Sequence, residues 1–344
     1  MSWISTPPLA AAVSNAGGVG ILATGPLNAE QTLTSIQQMR EQTEKPFGIG
    51  ATLLMPGAVE NAKVALDAHV PVINVSLGKA DWVAQAAHAY GGKVICTVTN
   101  AKHAESAIEA GADALLVTGH EAAAHGGDVT SLVLINALSR RFPEIPLVAA
   151  GGFADGRSLA AALALGADGV AMGSRFAVSK ESPLAEPVKT AVTGLTEADT
   201  VYGSNFDGIP ARVLKSPISQ QLMEKPPLLP VTIMRAFQAS RSMNIPLWKV
   251  LPGLLTQFSK MFMIAQFGAA TERLTTATID GDLENGVQFI GQSQGMINDV
   301  ASVEEIIQRI VQEAQEACQS SAEQLHVDSS TTASKEERHR TAEA

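Results

Sequence analysis

The sequence predicts an α/β chain folded as a (β/α)8 TIM barrel whose first strand is missing, with a helical lobe inserted before the last barrel helix. Three observations predict this. Short β-branched runs alternate with Ala-rich helical stretches from Gly18 to Phe176. The strand-like runs recur every ~20 to 35 residues, about one βα unit each. The rhythm then stops after Phe176. Even spacing favours a closed barrel over an open sheet, because right-handed βαβ units of similar length curl the sheet uniformly. At 344 residues the chain accommodates one barrel of about 250 residues and an extra lobe of about 100.

Taken in order, Pro7–Asn15 reads as a helix stopped by Gly17 and Gly18, and too few residues precede it for a strand. Met1 is therefore expected at the end of a first strand that the chain does not contain. Seven strands follow: Val19–Ala23, Phe47–Leu54, Val70–Ser76, Lys93–Val98, Ala114–Thr118, Leu147–Ala150 and Gly169–Met172. A weak internal repeat supports the βα reading. Glu109-Ala-Gly-Ala-Asp113 and Ala164-Leu-Gly-Ala-Asp168 each end an Ala-rich helix on a Gly C-cap and lead into an apolar strand. After the barrel, residues 1–184, the stretch 185–300 carries Met- and Pro-punctuated helical segments, including Pro227–Met243 and Leu247–Phe267, and is read as a helical substrate lobe. Residues 301–319 hold an amphipathic helix over Ser302–Cys318, with Val303, Ile306, Ile307, Ile310 and Val311 on one face and Glu304 and Glu305 in its first turn. From Ser320 little remains to bury, so residues 320–344 are expected to be a disordered tail.

Bulk properties exclude several function classes. A net charge of −10 with no basic stripe argues against a nucleic-acid partner. The two cysteines, Cys96 and Cys318, lack metal spacing, and Cys96 lies within an apolar strand, so both are expected as plain reduced thiols. No run is long and apolar enough to cross a bilayer and no leader pattern opens the chain, so a cytoplasmic protein without a membrane partner is expected. A homodimer is left open as the assembly.

The chemistry of such a barrel gathers on the loops after its strands, with phosphate commonly held by the last two of them. Those loops here are Ala149-Ala-Gly-Gly-Phe-Ala-Asp-Gly-Arg157 and Met172-Gly-Ser-Arg-Phe176. A phosphate needs converging main-chain N–H groups, and glycine allows the closest backbone approach, which singles out Gly151, Gly152 and Gly173. Tight turns alone are the competing reading. The loop Gly119-His-Glu-Ala-Ala-Ala-His-Gly-Gly-Asp128 places two histidines and two carboxylates at the end of a strand. His125 is the candidate acid–base group, because an imidazole titrates near neutrality. A solvated or structural histidine is the alternative, and His120 has the weaker claim. Glu121 and Asp128 could orient the imidazole or cap the following helix. The remaining histidines form no metal spacing, so no metal site is expected.

At these residues the chain resembles the nitronate monooxygenases, formerly called 2-nitropropane dioxygenases, a family taken together with the flavin-dependent enoyl-acyl-carrier-protein reductases. The resemblance runs over Leu9–Gly18, Lys45–Gly48, Glu121–His125, Ala149–Arg157, Gly166–Phe176, Gly281-Asp282 and Gly291-Gln-Ser-Gln-Gly295. It implies an FMN-binding barrel, with the flavin phosphate on Gly151, Gly152, Gly173 and Ser174, Ala124 and Ala150 lining the isoalloxazine, and His125 as the active-site histidine. Three departures stand out. The family's first strand ends in a Gly-Gly-Met or Gly-Pro-Met loop of which only Met1 could remain. Gly50 replaces a polar residue, and the family's Glu-Ala-Gly-Gly-His reads Glu121-Ala-Ala-Ala-His125.

Three functions compete on these residues. The first is oxidation of an alkyl nitronate with O2 to a carbonyl compound and nitrite, with Met234, Met243, Met261 and Met263 either roofing a small pocket or simply filling a core. The second is reduction of an enoyl thioester or a quinone, with NAD(P)H as donor. No G-x-G-x-x-G follows a strand, but barrel flavoenzymes bind nicotinamide without it. The third is a non-catalytic flavin-binding remnant, motivated by the absent first strand.

Overall fold

Seven parallel strands pair strictly in chain order in the computed structural model, which describes residues 1–224 and 270–325. They are β1 (Gly20–Ala23), β2 (Phe47–Thr52), β3 (Val72–Ser76), β4 (Lys93–Val98), β5 (Ala114–Thr118), β6 (Leu147–Ala150) and β7 (Gly169–Ala171), each within two residues of its expected limits. The sheet is curled like part of a barrel, as the sequence predicts. Among the described residues β1 and β7 do not pair with each other. The outer edge of β1 is partly covered by the segment ahead of the first helix, where Ala23 N–H donates to the Ser5 carbonyl at 2.9 Å and Ser5 Oγ to the Ile21 carbonyl at 2.5 Å.

The helix α1 (Pro7–Asn15) precedes β1, and further helices cross over between the strands: α2 (Ala29–Gln42), α3 (Ala58–Asp67), α4 (Asp81–His88), α5 (Ala101–Glu109), α6 (Ser131–Arg141) and α7 (Gly156–Ala164). The strands alternate accordingly. Ile73, Val75, Val94, Cys96, Leu115 and Val117 are buried beneath the helices and form the main core. Their neighbours face the inside of the curve, where Asn74 and Thr97 meet at 3.4 Å and Ser76 donates to Thr52 at 3.1 Å. Both copies of the repeat do the same work. Asp113 Oδ2 accepts the Val94 N–H at 2.8 Å, and Asp168 Oδ2 accepts the Leu147 N–H at 2.8 Å. Each aspartate thus fixes the start of its own strand against the preceding one.

Beyond α8 (Ser174–Ala177) and α9 (Glu186–Val192), the stretch 185–300, expected as a helical lobe, also contains a pair of strands that the sequence reading does not foresee. Thr200–Gly203 (β8) and Ala211–Leu214 (β9) pair as an antiparallel ribbon, followed by α10 (Pro217–Glu224). The four-residue strands are too short to stand out from a Pro- and Met-rich background by periodicity. The expected segments Pro227–Met243 and Leu247–Phe267, with Met234, Met243, Met261 and Met263, lie outside the described residues. Residues 270–278 are helical, and a 3-10 turn spans Gln292–Met296.

The last helix, α11 (Val303–Leu325), packs its apolar face on α7 and α1. It extends through residues 320–325, which the composition assigns to the expected tail, and residues 326–344 lie outside the described residues. Contact with α7 is close: a Cβ on Gly156 would stand 2.4 Å from the Ala314 backbone nitrogen, while Gly156 N–H donates to Glu313 at 2.9 Å.

Candidate active site

Three consecutive strand ends and one return segment meet at one rim of the sheet. The loop after β6 holds Gly151 and Gly152, both with φ of 89°, a conformation that favours glycine. Gly151 also has no room for a side chain, since a Cβ would lie 3.0 Å from Ala122. Gly173 follows β7, is exposed, and opens the short helix α8 with Ser174. No hydrogen bond within the described residues uses the N–H groups of Gly152 or Gly173. Ser174 is buried and accepts the Gly291 N–H at 3.0 Å, which leaves its hydroxyl proton to donate elsewhere. Ala150, the last residue of β6, lies half-buried on the concave face. A partly exposed main-chain cradle of this kind fits a phosphate tail, so the residues present suit the group that the motifs imply.

Gly291 joins two of the loops. Besides its bond to Ser174, it lies so close to the loop after β5 that a Cβ would meet the Glu121 carbonyl at 2.9 Å. The next residue, Gln292, donates its N–H to that carbonyl at 3.0 Å. The segment 291–295 is thus a clamp across the site.

The loop after β5 separates the candidates that the sequence groups together. Glu121 accepts the Ser131 N–H at 2.9 Å and the Ser131 hydroxyl at 3.0 Å, so it caps α6 and does not orient His125. Asp128 has no cap bond to α6, whose N-cap Thr130 makes none either. His120 is structural, with Nδ1 on the Gly127 carbonyl at 2.9 Å and its ring edge-on to Tyr202 at 4.6 Å. His125 differs. Its Nε2 lies 2.8 Å from Asp207 Oδ2, its side chain is 19% exposed against 1% for Asp207, and Phe289 packs edge-on at 5.9 Å.

Ala124, beside His125, adopts φ of 55° and forms an isolated bridge to β9, with Ala124 N–H to the Arg212 carbonyl at 3.0 Å and Arg212 N–H back at 2.9 Å. The buried Arg212 guanidinium holds the same loop through the His120 carbonyl at 3.1 and 3.2 Å, also donates to Thr200 Oγ1 in β8 at 2.9 Å, and stacks over Tyr202 at 5.4 Å. Burial pulls its pKa below the usual guanidinium value, against the opposing pull of Glu121. The site residues that sequence reasoning missed are thus Asp207 and Arg212. Neither carries a local signal, because each acts on a loop more than 80 residues upstream.

No group of histidine, cysteine and carboxylate side chains able to hold a metal occurs among the described residues. No described helix is long and apolar enough to cross a membrane.

Comparisons with known proteins identify the family. A family model described as nitronate monooxygenase matches residues 1–65 and 54–313. The chain is 33% identical over 328 residues, 91% of each sequence, to a (3aS,4S,5R,7aS)-5-hydroxy-7a-methyl-1-oxo-octahydro-1H-indene-4-carboxyl-CoA dehydrogenase from Mycobacterium tuberculosis. It is 28% identical to a nitronate monooxygenase from Paraburkholderia phytofirmans, covering 71% of this chain and 80% of that one. The solved structure of FabK from Thermotoga maritima superposes with a TM-score of 0.78, at 34% identity over 94% of both chains. The chain belongs to the nitronate monooxygenase family and is an oxidoreductase.

Proposed function

We propose that this oxidoreductase uses FMN and acts on an acyl thioester of the coenzyme A type, with His125 exchanging the proton next to the thioester carbonyl. The observation that carries this reading is the His125–Asp207 pair. An imidazole held by a buried carboxylate is equipped to take a proton from carbon. A nitronate reaches the enzyme as an anion that has already lost that proton, so it has no need of a base. A thioester α-carbon does.

FMN would be held with its phosphate on Gly151, Gly152, Gly173 and Ser174 and its ring beside Ala124 and Ala150. When bound, it supplies hydride transfer. The protein's own residues position the substrate carbon and move the proton. One further fact favours the thioester. The dehydrogenase relative, named for a carboxyl-CoA substrate, is matched over more of the chain and at higher identity than the nitronate monooxygenase.

Nitronate oxidation with O2 is the second reading, favoured by the family model and the nitronate monooxygenase relative. Anaerobic titration of the yellow protein separates the two. Acyl-CoA thioesters are expected to bleach the flavin absorbance faster than propyl-2-nitronate does, and bleaching by the nitronate alone overturns the first reading. Parallel steady-state assays with NAD(P)+, NAD(P)H and O2 identify the second redox partner.

A further inference from the structure

We infer that Asp207 is a positioning residue that holds His125 as the Nε2–H tautomer, which makes Nδ1 the ring atom that exchanges the substrate proton. This inference rests on the reading of His125 as the proton-transfer group.

The geometry points one way. Asp207 is almost wholly buried, and both of its oxygens are engaged: Oδ2 with His125 Nε2 at 2.8 Å and Oδ1 with the Ile209 N–H at 3.2 Å. A carboxylate can only accept, so the ring proton belongs on Nε2. Among the described residues nothing hydrogen-bonds Nδ1, although the ring is partly exposed. The edge-on contact with Phe289, itself packed on Phe206 at 5.8 Å, limits rotation of the imidazole. The second nitrogen is therefore left with a free lone pair on a fixed ring.

The two bonds of Asp207 make the consequence of Asp207→Asn specific. The Ile209 N–H still requires an acceptor, so the new amide oxygen stays with it and the amide NH2 faces Nε2. That NH2 donates, Nε2 becomes the acceptor, and the ring proton moves to Nδ1. The atom that should take the substrate proton is then already protonated. Asp207→Ala instead removes the orienting contact and leaves both tautomers available.

The experiment is nitrogen NMR on the protein as purified, carrying 15N-histidine, with the His125 signals assigned by their loss in His125→Gln. In the unaltered protein we expect the neutral ring to carry its proton on Nε2; a proton on Nδ1 overturns the inference without any variant. In Asp207→Asn we expect the tautomer to reverse and kcat to fall by about 10² with KM changed less than about threefold, the scale for loss of one acid–base group. An unreversed tautomer, or a reversed one with unchanged kcat, overturns it. If both tautomers behave as expected but no thioester is turned over by the unaltered protein, the substrate reading fails while the positioning role stands.

Discussion

Ala124 shows how tightly single residues are constrained around the site. Its φ of 55° is held by two main-chain bonds to Arg212. A non-glycine residue in this region costs roughly 1–2 kcal/mol, and the family pattern to which the chain is similar has glycine at the corresponding place. Ala124→Gly should relieve that cost, partly offset by about 0.4–1 kcal/mol of extra freedom in the unfolded chain. A net gain of about 0.5 kcal/mol in urea denaturation is expected, and a loss of stability would show that the Ala124 methyl makes a packing contact worth more than the strain. Gly151 tests the proposed phosphate cradle. Gly151→Asp introduces a carboxylate beside Ala122 where a dianion is proposed to bind, and like charges repel. The variant should purify colourless, and a yellow preparation contradicts the placement of the phosphate. His125→Ala should keep the flavin colour but lower turnover by about 10² or more. His125 and the glycines were legible because their residue types declare their chemistry at the ends of strands. Asp207 was not, since one aspartate among the 34 acidic residues has no distinguishing local pattern.

At the scale of elements, the loop after β5 is stiffened by its own helix. Glu121 caps α6 through Ser131, so Glu121→Ala strips a charge-assisted cap worth about 1–2 kcal/mol. Loss of stability of that size is expected together with a weaker hold on His125; a variant as stable as the parent would mean that another group takes over the cap. The α7–α11 contact is the stricter test of packing. Because a Cβ on Gly156 meets backbone atoms of α11 and not the flexible end of a side chain, Gly156→Ala must push the two helices apart. A loss of about 2 kcal/mol or more is expected by denaturant titration, in line with overpacking in a tight interface. The seven strands and α1 were readable in the sequence because the βα units repeat the same apolar alternation and several helices end on a recognisable Gly stop, as at Gly17, Gly91, Gly111 and Gly166. The β8–β9 ribbon was hidden because its strands are four residues long, and its pairing depends on the rest of the fold.

At the scale of the whole molecule, acid stability follows from carboxylates that hold separate elements together. Burial alone pushes Asp113 upward, but Lys93, the Val94 N–H and His88 outweigh it and its pKa is lowered. Asp299 likewise is pushed up by burial and pulled further down by Arg309 and Arg175, joining α8 to α11. Glu305, bonded to Ser302 and Lys180, is lowered to about 2. Each is more acidic folded than unfolded, so its contribution is fully present above the unfolded carboxylate range near pH 4–5 and disappears as pH falls through the lowered folded value. The thermal midpoint should be insensitive to these groups at neutral pH and fall steeply below about pH 4. Asp299→Asn should flatten that descent; an unchanged slope removes Asp299 from the account.

By itself the sequence determined the class of sheet, the order of its strands, the glycine loops at its rim and the histidine beside them. Period-2 and period-3.6 patterns and glycine stops are local properties of a chain, and these features need nothing more. Only the tertiary structure decided that Glu121 serves α6, that Arg212 secures the histidine loop, that Gly291 clamps two loops, and that Asp207 faces His125. All but the first join residues far apart in the chain, and their energies arise from burial and hydrogen-bond geometry that exist only once the elements have packed.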